Sequence, residues 1–282
     1  MNYRHAFHAG NHADVLKHII LSRVLEYFKQ KNKPFAVLDA HAGIGGYDLE
    51  GVEAIKTGEW QGGIGKMARR FAPEVEILLG PYRAILAAMN SDGGSRYYPG
   101  SPELTLRLLR LSDRLIANEL HPDDFAILRE NYRHDSRVRV TSRDATASIK
   151  AELPFSQKRG LVLIDPPFET LDESERVAEA LNLGYRRFAT STFLIWYPVT
   201  TEEFASKFLD MISALALPNV LHVELRVKAA IERGGLSGSG MIIINPPWTL
   251  ETEMKILLPA LAGRLGLETW GRGHVEWLSP PK

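Results

Sequence analysis

Asp165-Pro166-Pro167-Phe168 packs a carboxylate, fixed backbone carbonyls and an aromatic ring into four residues, at the end of the apolar run Gly160 to Asp165. Two successive prolines cannot continue a strand, and they hold an extended turn. The exocyclic amine of adenine is a poor nucleophile because its lone pair is delocalised into the ring. A carboxylate and a fixed carbonyl that each accept one N6 hydrogen can turn that lone pair toward a methyl donor. Asp165 and the Pro166 carbonyl are the candidate acceptors, and Phe168 is the ring to stack on an extruded base. A strand-ending turn over a buried Phe would read the same way, so the residues upstream must decide.

Asp39-Ala40-His41-Ala42-Gly43-Ile44-Gly45 follows the short apolar run Phe35 to Asp39. Glycines there let the backbone approach a ligand at the carboxyl edge of a sheet. A second strand ends at Glu119, where a carboxylate can accept both hydroxyls of a ribose. A third ends at Asp144, with Ala145 beside it, where an acid can hydrogen-bond an adenine amino group. Each acid alone is equally well a solvated strand-end residue. In this order (glycine turn, acid, acid) they read as the edge that holds an adenosine cofactor. Asn245-Pro246-Pro247-Trp248 repeats the catalytic shape after a later apolar run. It falls on the seventh strand, so we expect a structural strand end that also lines the pocket.

Strand and helix signals alternate to position these residues, with seven strands from Phe35-Ala-Val-Leu-Asp39 to Met241-Ile-Ile-Ile-Asn245. Alternation of this kind predicts an α/β, Rossmann-like sheet of the type used by S-adenosylmethionine-dependent methyltransferases. The last two strands are joined by a glycine-bearing loop without a helix, so the seventh is expected to be antiparallel. Glu119 lies 76 residues beyond Gly43 (119 − 43), against about 20 in an ordinary dinucleotide fold. A small helical insertion over 47–96 accounts for the excess, leaving 1–46 and 97–282 as the methyltransferase domain with its N-terminal arm. Ser101 is read as the cap of a helix whose first residue is Pro102.

The 282 residues carry 34 Lys+Arg and 34 Asp+Glu, so no global positive field marks a wrapper of duplex DNA. Cysteine is absent, which excludes disulfides and thiolate chemistry and suits the cytoplasm. No stretch has the length of a membrane span or the pattern of a secretory leader. His5, His8, His12 and His18 invite a zinc reading, but no obvious ligand set completes it, so no metal is expected. We read the N-terminal stretch as an arm that covers the cofactor, with Tyr3 stacking on the target nucleotide and Arg4 reaching a phosphate. Arg129, Arg133, Arg137, Arg139, Arg143, Lys158, Arg159, Arg186 and Arg187 either track an RNA backbone or form solvated faces.

The blocks YRHAFHAGNHADVLKH, LDAHAGIGGY, RYYPGSP, NELHP, GLVLIDPPFE and SGMIIINPPW together resemble the RlmJ-type bacterial methyltransferases of large-subunit ribosomal RNA. The resemblance runs nearly end to end. It implies N6 methylation of one adenosine in the large ribosomal RNA, with S-adenosylmethionine as cofactor. It marks His18, His41, Ser101, Glu119, Asp144 and Asp165 as cofactor contacts, Asp165 as the catalytic residue and Tyr3 as an RNA contact. Lys17 joins Tyr3 on the substrate side. One departure is visible, because the tyrosine usual in the catalytic tetrapeptide is Phe168 here.

The expected protein is therefore a monomeric RNA-binding methyltransferase with no obligate protein partner. DNA adenine methylation, protein glutamine methylation and a non-catalytic role in ribosome assembly are the alternatives.

Overall fold

The computed structural model describes residues 4–91, 93–170, 172–229, 235–267 and 270–281. In chain order its elements begin with α1 (His12–Lys29), β1 (Ala36–Asp39), β2 (Gly46–Asp48), α2 (Val52–Thr57), α3 (Glu59–Gly62), α4 (Pro73–Met89) and β3 (Tyr97–Pro99). Then come α5 (Ser101–Leu108), β4 (Arg114–Asn118), α6 (Pro122–Tyr132), β5 (Val138–Thr141), α7 (Ala145–Glu152), β6 (Gly160–Ile164) and α8 (Glu173–Arg187). The chain closes with β7 (Thr192–Val199), α9 (Glu202–Ala214), β8 (Val220–Arg226), β9 (Gly238–Ile244), α10 (Leu250–Leu265) and β10 (Arg272–Ser279).

Eight strands form the main sheet in the order β10-β8-β9-β7-β6-β1-β4-β5. The pairs from β5 through β7 are parallel, and β9 runs antiparallel to both β7 and β8. The seven expected strands are present and the seventh is antiparallel. The count is corrected to eight because β10 adds to the outer side of β8, antiparallel to it. A separate ribbon pairs β2 with β3, and α2, α3 and α4 lie between its strands.

Alternation along the strands divides the core between two faces. Val37, Leu115, Leu161, Leu163 and Leu194 join the cluster built on α1, α4, α5 and α10. Leu38, Val162, Ile164, Phe193 and Ile195 join the cluster under α7, α8 and α9. Helices on both faces bury the central strands completely, which is why those segments read as unbroken apolar runs.

α1 is capped by Asn11, whose side chain accepts from the Ala13 and Asp14 amides. α5 begins one residue early. Gly100 is its cap position and makes no side-chain cap bond, so Ser101 is buried in the first turn and its hydroxyl faces other work. Among the described residues, no helix is long and apolar enough to cross a membrane.

Candidate active site

A cavity of about 280 Å³ crosses the carboxyl ends of the parallel strands. The turn after β1, the tips of β4 and β5, the Pro-Pro turn after β6 and one side of α8 line it. Lys17, His18, His41, Ser101, Glu119, Asp144, Ala145, Asp165 and Pro166 all contribute to this wall. Residues from six separate segments are thus brought to one edge.

The turn after β1 can approach a ligand because Gly43 adopts φ +60°. A Cβ there would lie 2.3 Å from the Tyr47 hydroxyl, so a larger residue would clash with Tyr47 and strain the backbone. Glu119 fixes this turn, accepting from the Gly43 amide at 2.8 Å and the His121 amide at 2.7 Å. Two carboxylate oxygens offer about four acceptor sites, so Glu119 retains capacity for further donors. Burial pushes its carboxyl above the usual range, against the pull of those two amides. Asp144 caps α7 by accepting from the Thr146 and Ala147 amides, while its other oxygen accepts from Arg176 at 2.8 Å.

Asp165 is held from two sides. Its amide donates to His41 Nδ1 at 3.2 Å, and its carboxylate pairs with the Lys17 ammonium. Lys17 is in turn held by Asp14 at 2.9 Å. Burial disfavours the lysine charge, but Asp14 and Asp165 outweigh it and hold its pKa above the ordinary value. Asp14 also accepts from the Gly10 amide and pairs with His5. Burial raises its pKa, and His5 and Lys17 more than reverse that, keeping it well below the usual carboxylate range. Burial drives His18 down to about 3 and His41 to about 4. Both are neutral at physiological pH, and His41, accepting at Nδ1, carries its proton on Nε2.

Behind this wall Asp39 is fully buried. Its Oδ1 accepts from the His41 amide at 3.3 Å, and its Oδ2 makes no hydrogen bond. Burial raises its pKa to about 7, although the Ser101 hydroxyl close by pulls the other way.

Four expectations change. Phe168 does not reach the cavity. Its ring lies edge-on to Trp196, Phe204 and Phe208, at centroid separations of 5.8–5.9 Å, and its backbone takes φ +51°. Lys17, read as a substrate contact, is 4 % exposed and already paired with two carboxylates, Asp14 and Asp165. Arg4, expected to reach RNA, donates at 2.9 Å to Asp124, one of the residues that line the cavity. Asn245-Pro-Pro-Trp248 does not line the pocket. β9 runs against β7, so Ile244 lies opposite Phe193 at the start of that strand, on the opposite edge of the sheet.

Tyr3 lies outside the described residues. Several of the arginines proposed to follow a phosphate backbone are already engaged. Arg137 pairs with Asp135, Arg139 and Arg143 share Glu152, and Arg187 donates to the Leu153 carbonyl. The sequence reading missed Asp14, Asp39 and Arg176. The helical spacing of Asp14 and Lys17 was the available signal for the first.

A parallel sheet ordered β5-β4-β1-β6-β7-β9-β8, with antiparallel β9 and an acid-lined cavity at its carboxyl edge, defines a methyltransferase-type Rossmann fold. A model of the family described as "RsmJ: Ribosomal RNA large subunit methyltransferase D, RlmJ" matches residues 32–279. The chain belongs to this family. It is 44 % identical over 281 residues to "Ribosomal RNA large subunit methyltransferase J" of Haemophilus influenzae, covering 99 % of each chain. It is 41 % identical over 280 residues to the Escherichia coli K12 protein of the same name, again covering 99 % of each. A crystal structure of a Legionella pneumophila protein is similar, with a TM-score of 0.86 at 33 % identity, covering 95 % of this chain and 98 % of that one.

Proposed function

We propose that this protein transfers a methyl group from S-adenosylmethionine to the N6 amine of an adenosine in large-subunit ribosomal RNA. One observation carries the reading: Asp165, in the Asp-Pro-Pro turn, is fixed at the cavity by Lys17 and by the His41 ring. The names of the two relatives from Haemophilus influenzae and Escherichia coli supply the substrate class.

The donor set fits the cofactor. The glycine turn at Gly43 brings backbone to the cavity wall, and the spare acceptor capacity of Glu119 suits two ribose hydroxyls. Asp144 and Ala145 suit the adenine edge, and His18, His41, Ser101 and Asp165 line the rest of the same wall. When bound, S-adenosylmethionine supplies an electrophilic methyl group on a sulfonium. Asp165 and the Pro166 carbonyl accept the two N6 hydrogens and orient the amine. Asp165 is also the nearest acceptor for the proton that must leave. Rate comes from this positioning and from exclusion of water. Phe168 braces the turn against its aromatic neighbours, in place of the stacking role read from sequence.

Residues 47–96 are proposed as an inserted helical subdomain on a methyltransferase domain of 1–46 and 97–282. The anchored Arg4 supports the further proposal that Tyr3, next to it, meets the RNA at the cavity mouth.

Labelled methyl transfer to protein-free total ribosomal RNA, with genomic DNA alongside, tests the reading. Label recovered as N6-methyladenosine in the large RNA alone is the expected result. Label in DNA, or in neither nucleic acid when assembled particles are also offered, contradicts it.

A further inference from the structure

The outer edge of the sheet, away from the cavity, holds a second cluster of chemistry-bearing side chains. β10 pairs with β8 so that Glu276 lies opposite His222 and His274 opposite Glu224. Residues two apart on a strand share a face, so His274 and Glu276 both project beside His222. Glu276 Oε1 is 3.2 Å from His222 Nδ1 and 3.2 Å from His274 Nε2. All three donor atoms lie within 4.8 Å of one another.

Two ligands each about 2.0–2.1 Å from a tetrahedral zinc ion are about 3.3–3.4 Å apart. The two separations of 3.2 Å to the Glu276 oxygen are close to that spacing. The ligand types match as well, since two imidazoles and a carboxylate form a common open zinc set that leaves one position for water.

The hydrogen bonds behind His222 are those of a metal-ligating histidine. Tyr197 donates its hydroxyl to Glu224 Oε2 at 2.8 Å, and Arg226 holds the other oxygen of Glu224. With its own hydrogen spent, the Tyr197 oxygen can only accept from His222 Nε2, 2.8 Å away. That places the ring proton on Nε2 and leaves the Nδ1 lone pair facing a carboxylate oxygen. In the neutral ring two acceptors face each other there, an opposition that a metal ion on Nδ1 relieves, as a second ring proton also would. An outer hydrogen bond that fixes the tautomer is the usual support of a metal-bound imidazole. Three of the four groups that set this order are nearly buried: Tyr197, His222 and Glu224. His274 and Glu276 are half-exposed and give an ion its path from solvent.

We propose that His222, His274 and Glu276 bind a divalent transition-metal ion of the zinc class, which clips the edge strand β10 to β8. The sequence reading expected no metal, having looked to the N-terminal histidines. There, His5 pairs with Asp14 and His8 with Glu59.

The test uses the full chain, stripped with a chelator and desalted, then titrated with zinc chloride against a chromophoric competitor. One zinc per chain is expected, with affinity falling at least about tenfold in His274→Ala and in Glu276→Ala. Both residues are half-exposed, so both variants should fold, and an unchanged circular dichroism spectrum checks that. At about a hundredfold excess over Kd, zinc should raise the Tm of the unsubstituted chain by about 5 °C, and magnesium should not. No uptake, or uptake that survives in both variants, overturns the proposal, and the latter would place the ion elsewhere. Neither readout depends on methyl transfer.

Discussion

Asp165-Pro-Pro-Phe168 and Asn245-Pro-Pro-Trp248 share one sequence shape, and each follows a fully buried strand. Their surroundings differ in every respect that matters for chemistry. β6 runs parallel to β1, so its carboxyl end meets the glycine turn and the strand-end acids. β9 runs the other way and delivers its turn to the opposite edge. The first polar side chain is fixed yet faces the cavity. Asn245 instead spends its amide on the Ala189 and Ser191 carbonyls, at 2.8 and 2.9 Å, and adopts φ +51°. Phe168 is wedged among three rings, whereas Trp248 is 79 % exposed. Strand direction therefore decides which copy can do chemistry, and residue type alone does not.

The largest expected effect breaks the catalytic copy from behind. Lys17→Met leaves Asp14 buried without its lysine and frees Asp165. Removing one partner of a buried ion pair typically costs about 3–5 kcal/mol. Urea unfolding should show a loss of that order, and methyl transfer should fall about a hundredfold even where the variant remains folded. Unchanged kinetics in folded variant would remove Lys17 from the positioning role.

Asp39 sharpens the contrast, because buried charge belongs to the cofactor edge. Its folded pKa of about 7 lies above the unsupported value of 3.8. The folded state therefore binds the proton more tightly, and this residue's contribution falls as pH rises from about 4 to about 7. The difference of roughly three units corresponds to about 4 kcal/mol at most. Asp39→Asn should flatten that slope and unfold at higher urea than the unsubstituted chain at pH 8, with the gap narrowing toward pH 5. Parallel pH profiles for the two proteins would refute the assignment.

At the far edge the effects should be purely structural. Asn245→Ala strips donors from two carbonyls and places alanine at positive φ, a loss of about 1–3 kcal/mol, with kcat and KM unchanged in a methyl-transfer assay. Trp248→Ala should be smallest, within about 0.5 kcal/mol by thermal unfolding. A loss of RNA methylation in that variant would bring the far edge into substrate binding.

The comparison also shows where sequence reasoning reached and where it stopped. Central strands such as β6 and β7 were legible because burial on both faces makes them continuous apolar runs. β10 was not, because it is an edge strand whose apolar Val275, Trp277 and Leu278 are only partly buried and follow exposed polar residues. Glu119, Asp144 and Asp165 could be placed at strand tips by their order along the chain. The clamp of Asp14 and Lys17 on Asp165 could not, since it depends on α1 crossing to the end of β6. The pocket role expected of the Asn245 turn failed for a different reason. An antiparallel β9 was expected, and a strand so directed must end at the opposite edge of the sheet, so the two expectations were incompatible. Phe168 shows the limit for side chains, because the same letter stacks on a base or braces a turn according to the rings around it.

The central claim is that the Asp165 turn, and not its twin, is where methyl transfer occurs. Single-turnover transfer of labelled methyl to large-subunit ribosomal RNA by Asp165→Ala and Asn245→Ala, side by side, tests it directly. A fall of at least about a thousandfold in the first, with the second at the unsubstituted rate and both folded, is the predicted result. Retained transfer in Asp165→Ala, or an equal loss in Asn245→Ala, would contradict it.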